Sequence, residues 1–452
     1  MCGVVGRVYR VSWPADSSVT WLVGSRSFAA GSASSVGAPT PAGHLSGRSG
    51  ISESTFEQLW SAIADIGRDP TTGGYRRFAW TEPDLSMREW FAGACAARAL
   101  ELIEDRMGNQ WAWWGNPDTA PSGGIVTGSH LDSVPDGGAF DGPLGVVSAL
   151  AAIDQLRAGG FEPGRPIGVV NFVDEEGARF GVSCIGSRVI TGALHPDSAR
   201  ALRDADGVDM AAAIRAAGRE PEQLGADPEA VGRIGSFVEL HIEQGRGLID
   251  LGRAVGVGNR LWAHGRWRIE VPGEANHAGT TRLSDRHDAV IGCARAVLVA
   301  RAAAEAHGSL ATVGKISIQP GGVNAIARSA TAWLDARAAD EPALRATVAQ
   351  IEEQVAGSGA VVTEESWTPQ TTFDGALISR LSSLLGGAPV MSTGAGHDAG
   401  ILANAGVPAA MIFVRNPTGV SHSPAEWAEP GDCIAGVAAL TRVLSDLAGA
   451  QQ

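Results

Sequence analysis

The chain has 452 residues, of which 44% are hydrophobic, and its formal net charge is −14. This length allows two or three domains of roughly 150 residues, and the acidic balance argues against nucleic-acid binding, which needs a surplus of lysine and arginine. No run of sequence reaches the roughly 18 apolar residues that a membrane-spanning helix requires, so we expect no membrane partner.

Residues 1–50 are rich in Ser, Gly and Ala and contain one acidic residue, Asp16. They lack the apolar run of about 7–15 residues that a secretory signal needs. We therefore predict an unstructured extension, or a start site placed upstream of the natural one. Class II glutamine amidotransferases also begin with Met-Cys-Gly, but nothing that follows here resembles their N-terminal domain, so we assign Cys2 no role.

The five cysteines are widely spaced, odd in number and form no CxxC pair. This pattern argues against a disulfide framework and against a thiolate metal site. It predicts a protein of the reducing cytoplasm.

Residues 51–252 predict the first part of an α/β domain. The predicted elements are helices at 55–66 and 83–100, strands from 108 and at 124–127, a helix at 143–156 and a strand at 166–173. Strand, helix and strand in this order imply a right-handed βαβ unit. Polar clusters follow the predicted strands, and open α/β sheets bind their ligands at the carboxyl ends of strands.

Residues 253–368 predict a smaller α+β insert. Strand, helix, strand, strand, helix and strand are predicted at 267–271, 286–306, 312–319, 329–337, 341–355 and 360–366. This order is that of a ferredoxin-like domain. The chain then returns to α/β character, so residues 369–452 are predicted to complete the first domain.

The first polar cluster contains His130, Asp132 and Asp141. His130 and Asp132 flank one residue at a predicted strand end, where Asp132 can orient the imidazole through its second nitrogen. Asp141 follows in a Gly-rich loop, and its carboxylate can bridge two cations. A turn histidine and a helix cap are the alternative, but two acids and a histidine in one loop favour a binding site.

The second cluster, Asp174–Glu176, directly follows an apolar predicted strand. Like charges packed together raise the cost of ionisation, which a cation would relieve. A carboxylate left free of the cation can serve as a general base. The alternative is a solvated acidic loop, which the preceding apolar strand makes less favourable.

Three further clusters each hold one histidine: His241 in Glu239–Gly245, His397 in Gly394–Ala399 and His422 in Ser421–Pro424. Counting His277 as well, five of the ten histidines lie in such clusters, and no cysteine accompanies them. Nitrogen and oxygen ligands without sulfur suit a catalytic Zn²⁺, Mn²⁺ or Co²⁺ rather than a closed structural zinc.

The motifs His-x-Asp, Asp-Gly, Asp-Glu-Glu-Gly, His-Ile-Glu-Gln-Gly, Glu-Ala-Asn-His-Ala-Gly-Thr-Thr and Ser-His-Ser-Pro occur in this order. From about residue 51 onward the chain resembles the M20 peptidase-like amidohydrolases. His241 stands where the peptidase branch has an acid, so the resemblance is to the carbamoylase branch: N-carbamoyl-L-amino-acid hydrolase, allantoate amidohydrolase and β-ureidopropionase. It implies a metallopeptidase-like α/β catalytic domain with an inserted ferredoxin-like lid and dimerisation domain.

The resemblance also implies residue roles. Two divalent ions would be held by five ligands, one ion by His130, Asp141 and His241, the other by Asp141, Glu176 and His422. Glu175 would be the general base. His277 would stabilise the oxyanion from the neighbouring subunit of a homodimer. Substrate contacts would come from Asn324 and Arg337, which would hold the substrate carboxylate, and from Gln244 and His397, which would line the pocket.

The function implied is hydrolysis of the ureido C–N bond of an N-carbamoyl-L-amino acid to the amino acid, ammonia and carbon dioxide. Allantoate stays open as a substrate, because it also has a ureido nitrogen beside a carboxylate. A noncatalytic binding protein of this fold would be expected to have lost Glu175 or a metal ligand, and none is missing. One departure is Arg282-Leu283, where the family usually has Pro-Met, which predicts an altered lid or substrate preference.

Overall fold

The computed structural model describes residues 49–450, with side chains from Ser54 onward. The predictions for residues 1–50 and for Cys2 fall outside this part of the chain, apart from the helix start at Ser49. Within the described residues, no helix is long and apolar enough to cross a membrane. The cysteines of this part of the chain are all free and buried.

Strands of residues 49–450 are numbered in chain order: β1 Glu101–Glu104, β2 Gln110–Trp114, β3 Gly124–His130, β4 Ile167–Phe172, β5 Ile234–Ile242, β6 Val255–Leu261, β7 Ala263–Pro272, β8 Asn276–His277, β9 Leu310–Gln319, β10 Ala325–Ile326, β11 Ser329–Ala338, β12 Val361–Thr368, β13 Thr371–Thr372, β14 Val390–Thr393 and β15 Ala409–Val414.

Helices of the same residues are numbered likewise: α1 Ser49–Ile63, α2 Glu82–Ala96, α3 Pro143–Ala158, α4 Ile185–Ile190, α5 Pro196–Ala201, α6 Met210–Ala216, α7 Pro228–Gly232, α8 Gly247–Asp250, α9 Ala289–His307, α10 Glu341–Ala356, α11 Gly375–Leu384, α12 Asp398–Asn404 and α13 Pro430–Ala448.

The larger sheet is mixed, with the strand order β1-β2-β4-β3-β5-β15-β6-β13 and with β14 paired to β6. Its centre is parallel, because β3 pairs with β4 and β5, and β5 pairs with β15, all in the same direction. Every residue of β3, β4 and β15 is buried, as expected for strands covered on both faces. The predicted α/β fold is confirmed, and the carboxyl ends of these parallel strands meet at one edge.

The smaller sheet has the order β12-β7-β11-β9 and is antiparallel throughout. Along the chain its elements run β7, α9, β9, β11, α10 and β12, which is the predicted ferredoxin-like order. The apolar residues of these elements form a hydrophobic core separate from that of the larger sheet. A role of this insert as a lid or in dimerisation stays a prediction.

Two details differ from the sequence prediction. Strand β6 pairs with β15 of the larger sheet, so residues 255–261 lie in that sheet although the insert was predicted to begin at 253. Helix α9 begins at Ala289 rather than at 286, because the Asp288 side chain accepts a hydrogen bond from Val290 N and caps the helix. Arg286 instead donates to the carbonyl oxygens of Ala278 and Thr281.

Candidate metal centre

The predicted metal ligands converge at the carboxyl edge of the parallel strands. His130 is the last residue of β3, and His241 is the next-to-last residue of β5. Glu176 follows β4, Asp141 precedes α3, and His422 lies in the loop after β15. In two groups, His130–Asp141–His241 and Asp141–Glu176–His422, the potential ligand atoms all lie within 4.8 Å of one another.

Asp141 is shared by both groups. Its Oδ1 lies 3.2 Å from His241 Nε2 and 3.6 Å from His130 Nε2. Its Oδ2 lies 3.5 Å from His422 Nε2, which is also 3.5 Å from Glu176 Oε2. The two carboxylate oxygens therefore face different sets of ligands, as a carboxylate that bridges two cations must.

Several ligand atoms make no hydrogen bond within the protein, although they lie close to other ligand atoms. His130 Nε2, His241 Nε2 and Glu176 Oε1 are buried and make no hydrogen bond. Such orphaned polar atoms are rare in folded proteins and are costly unless a ligand satisfies them. The donors are imidazole nitrogens and carboxylate oxygens, which suit Zn²⁺, Mn²⁺ or Co²⁺. The residues present therefore fit two divalent ions.

The loop that carries Asp141 is held in place by two features. Gly142 has a φ of 83°, and a Cβ at this position would clash with the imidazole of His130. The carboxylate of Glu426 accepts hydrogen bonds from the backbone N–H groups of Phe140 (2.9 Å) and Asp141 (3.0 Å). Glu426 was not predicted to belong to the site, although it lies only four residues beyond His422.

Asp132 supports residues of both groups of metal ligands. Its two carboxylate oxygens accept hydrogen bonds from Glu175 N and Glu176 N, each at 3.1 Å. His130 Nδ1 lies 3.2 Å from the carbonyl oxygen of Asp132 and 3.5 Å from its Oδ1. Asp132 therefore fixes the turn that presents both glutamates and contacts the far side of the His130 ring.

Glu175 is buried beside the two groups of metal ligands but belongs to neither of them. Its Oε2 lies 3.7 Å from His130 Nε2. Its Oε1 accepts a hydrogen bond from the thiol of Cys184 at 3.3 Å, and Cys184 N also donates to Glu175 O. Oε2 is thus the oxygen that faces the metal ligands. The contact of Cys184 with Glu175 could not be predicted from the sequence, because the chain reversal that brings the two together is not a local signal.

The site is rich in buried carboxyl groups. Burial raises the pKa of Glu175 well above its ordinary value, and burial together with Asp141 does the same for Glu176. Burial alone would lower the pKa of His130, but Glu175, Asp132 and Asp141 raise it well above its ordinary value. Divalent cations would relieve this repulsion and are often the largest local charges in such sites.

His397 lies against His241, with 4.5 Å between the ring centroids. Neither of its ring nitrogens makes a hydrogen bond, and burial and the nearby His241 lower its pKa well below the ordinary value. Below it, the buried carboxylate of Glu239 accepts hydrogen bonds from Ser129 Oγ and Ala399 N. Burial and the neighbouring imidazole therefore favour the neutral form of His397.

A cavity of about 290 Å³ joins the metal ligands to the insert sheet. Gln244 and His397 line it, and Gln244 Nε2 donates to Asp141 Oδ2 at 2.9 Å. Their contact with a substrate stays a prediction. Arg337 lines the cavity too, and its guanidinium donates to both carboxylate oxygens of Asp335 and to the carbonyl oxygen of Gly394.

His277 and Asn324 do not line this cavity. The structure brings the two together, because Ala278 N donates to the carbonyl oxygen of Asn324 and β8 pairs with β10. Both residues are exposed on the insert. Within one chain, therefore, the predicted oxyanion histidine and the predicted asparagine lie apart from the other site residues.

A mixed α/β sheet with histidines and carboxylates gathered at its parallel strand ends defines a metallopeptidase-like hydrolase. The chain belongs to the peptidase family M20/M25/M40, which matches residues 126–446. This confirms the resemblance found in the sequence motifs. Enzymes of this family typically depend on two metal ions.

Among relatives, the chain is 34% identical to an N-carbamoyl-L-amino acid amidohydrolase of Geobacillus stearothermophilus, over 87% of this chain and 98% of the relative. It is 33% identical to the allantoate amidohydrolase of Escherichia coli, over 87% and 97% of the two chains. A crystal structure of a hydantoinase/carbamoylase family amidase from Burkholderia vietnamiensis superposes with a TM-score of 0.78 at 30% identity, covering 87% and 97%. The chain is thus a hydrolase of C–N bonds other than peptide bonds.

Proposed function

We propose that the chain hydrolyses the ureido C–N bond of an N-carbamoyl-L-amino acid and releases the amino acid, ammonia and carbon dioxide. The proposal rests on the position of Asp141 between the two ligand groups. Its Oδ1 faces His130 and His241, and its Oδ2 faces His422, which lies beside Glu176. Bound by these residues, two divalent ions would supply Lewis acidity and lower the pKa of a water to near 7.

Glu175 is the proton carrier of the proposed reaction. Its Oε2 faces the metal ligands, whereas its Oε1 accepts a hydrogen bond from the Cys184 thiol. Oε2 therefore accepts the proton of the attacking water. The same oxygen then returns the proton to the leaving nitrogen. General acid–base catalysis of this kind contributes typically 10²–10⁴-fold to the rate. Asp132 positions Glu175 through the Glu175 N–H group.

Arg337 binds the α-carboxylate of the substrate. Its guanidinium lies in the same cavity as Glu175, and a planar guanidinium pairs with both oxygens of a carboxylate. Asp335 accepts from the same guanidinium at 2.7 and 3.1 Å, so the substrate carboxylate would compete with it for Arg337. Gln244 and His397 line the wall between Arg337 and the metal ligands.

Allantoate is the second candidate substrate. The chain is almost as similar to the allantoate amidohydrolase as to the N-carbamoyl-L-amino acid amidohydrolase, at 33% and 34% identity. Allantoate offers the same two groups to the site, a carboxylate for Arg337 and a ureido carbon for hydrolysis.

The substrate experiment compares these candidates directly. Purified, metal-loaded protein would be given N-carbamoyl-L-amino acids, their D-enantiomers, allantoate and a dipeptide, with ammonia or amine release as the readout. We expect release from L-carbamoyl substrates and none from the dipeptide. Release from allantoate alone would replace the first candidate by the second, and cleavage of the dipeptide alone would overturn the proposal.

We further propose that the enzyme is a cytoplasmic homodimer in which each subunit receives His277 and Asn324 from its partner. Neither residue lines the cavity of its own chain. Strand β9 is the edge of the insert sheet and exposes Leu310, Ile316 and Ile318. An exposed apolar edge strand is a ready surface for pairing with a second chain.

A mixing experiment tests this exchange. Glu175→Gln and His277→Ala are each expected to be nearly inactive alone. In a mixed dimer, the intact Glu175 of one chain would meet the intact His277 of the other, so unfolding and refolding the two variants together should restore about a quarter of the wild-type rate. If no activity returns although mixed dimers form, His277 acts within its own chain or not at all.

A further inference from the structure

One part of the cavity wall is basic. Arg266 and Arg337 come from the insert sheet, and Arg188 comes from helix α4. The cavity wall that the insert contributes holds one carboxylate, Asp335. We call Arg188, Arg266, Arg337 and Asp335 the cationic wall; it places three guanidinium groups against one acid.

The register of the insert sheet explains how three of these side chains meet. Asp335 is the cross-strand partner of Arg266, and Arg337 is the partner of His264. Alternate residues of a strand point to the same face, so all four side chains lie on one face. The opposite face, with Trp267 and Leu334, packs into the core of the insert.

Asp335 does not neutralise the cationic wall. Both of its oxygens are engaged by Arg337, at 2.7 and 3.1 Å, while Arg266 Nε lies 3.8 Å away. Arg188 donates from Nε to the carbonyl oxygen of Ser183 at 3.0 Å. Within residues 54–450, Arg188 forms no ion pair with a carboxylate closer than 4.0 Å.

Arg188 and Arg266 are anchored to the same short loop. Arg266 Nη1 contacts the carbonyl oxygen of Gly181 at 3.4 Å, and Arg188 contacts that of Ser183, two residues along the chain. Both guanidinium groups therefore border one region of the cavity. The pKa of the neighbouring His264 is lowered, first by burial, then by the charge of Arg337 and, more weakly, by that of Arg188. Two of the three arginines therefore act on this side chain electrostatically.

Given the proposed function, on which this inference rests, we propose that the preferred substrate carries a second carboxylate. The substrate class is the N-carbamoyl derivative of an L-amino diacid. Arg337 binds the α-carboxylate, and Arg188 with Arg266 binds the carboxylate of the side chain. These two arginines determine specificity and take no part in the chemistry.

The charge balance supports this choice over a substrate with a neutral side chain. With Asp335 counted, the three guanidinium groups of the cationic wall leave two positive charges in excess. A monocarboxylate offsets one of these charges and a dicarboxylate offsets both, and complementary charges contribute chiefly to specificity and association rate. A charge-assisted hydrogen bond of this kind changes affinity by about 10- to 100-fold.

The test uses isosteric substrate pairs that differ only in side-chain charge: N-carbamoyl-L-aspartate with N-carbamoyl-L-asparagine, and the corresponding glutamate with glutamine. With metal-loaded wild-type protein we expect kcat/KM to be about tenfold or more higher for the acid of at least one pair. The preference should arise mainly in KM and should shrink as ionic strength rises.

Variants locate the effect. Arg188→Gln and Arg266→Gln should each lower the acid-to-amide ratio of kcat/KM towards one, and the ratio is the readout because general damage lowers both values together. Arg268→Gln is the matched control. Arg268 lies two residues beyond Arg266 on the same face of β7, but it pairs with Glu270 and Glu365 outside the cavity. The Arg268→Gln variant should therefore keep the wild-type ratio of kcat/KM.

The outcomes separate this inference from the proposed function. Equal kcat/KM for both members of each pair overturns the second-carboxylate inference while leaving the proposed function in place. If no carbamoyl substrate is hydrolysed, the proposed function fails. Calorimetric binding to the metal-loaded Glu175→Gln variant then still decides whether the diacid binds more tightly than its amide, and equal binding overturns the inference.

Discussion

Substitution Glu175→Gln should reduce kcat by about 10²–10⁴-fold while both metal ions stay bound. Glutamine keeps the shape of the side chain, and the hydrogen bonds to Asp132 come from the backbone N–H groups of residues 175 and 176, so the turn should persist. What is lost is the ability of Oε2 to accept a proton. The measurement is kcat together with metal content by elemental analysis.

The matched control for this substitution is Glu222→Gln. Glu222 pairs with Arg215 at an exposed position outside the cavity, so kcat should not change. If Glu175→Gln retained wild-type turnover, another group would have to carry the proton, and the role given to Glu175 would be wrong. A loss of metal together with activity would instead assign Glu175 to the metal ligands.

Substitution Asp141→Asn should weaken both metal sites at once and lower kcat by at least about 100-fold. Asp141 is the one residue common to the two ligand groups, and an amide supplies neither the second anionic oxygen nor the negative charge. The wild-type protein should gain thermal stability when Mn²⁺ or Zn²⁺ is added, because an ion that binds the folded state stabilises it. The variant should show little of this gain.

Asp136→Asn provides the control in the same loop region. Asp136 pairs with Arg76 at the surface, and its φ of 54° is one that asparagine tolerates. Metal content and kcat should stay at the wild-type level. If Asp141→Asn lost only one ion and kept the other at full affinity, Asp141 would not bridge, and the two groups would be independent sites.

The α/β core could be predicted because its signals are local. The apolar run before Asp174 indicates a buried strand, and Pro143 indicates the start of a helix. Each signal lies within the segment that it predicts. Once the strands are parallel, their carboxyl ends meet, so the clusters at His130, Glu176 and His241 are brought together. The assignment of particular ligands depended on the resemblance to a family, since each motif alone is weak.

Other features depend on contacts between distant parts of the chain and were not predictable. Glu426 supports the Asp141 loop from almost 300 residues away in sequence. Cys184 reaches Glu175 only because the chain reverses after the acidic turn. The sequence of strand β6 does not distinguish it from the strands of the insert that follows. Only its pairing with β15 assigns it to the larger sheet. The cationic wall likewise depends on the register between β7 and β11.

We propose that two metal ions held around Asp141 make this chain a hydrolase of ureido C–N bonds. The most direct test is ammonia release from an N-carbamoyl-L-amino acid by protein that has been stripped of metal and then titrated with Mn²⁺, Co²⁺ or Zn²⁺. We predict no release from the stripped protein and full activity only when two equivalents per chain are bound. Ammonia release by the stripped protein, or none from any ureido acid with two ions bound, would contradict the claim.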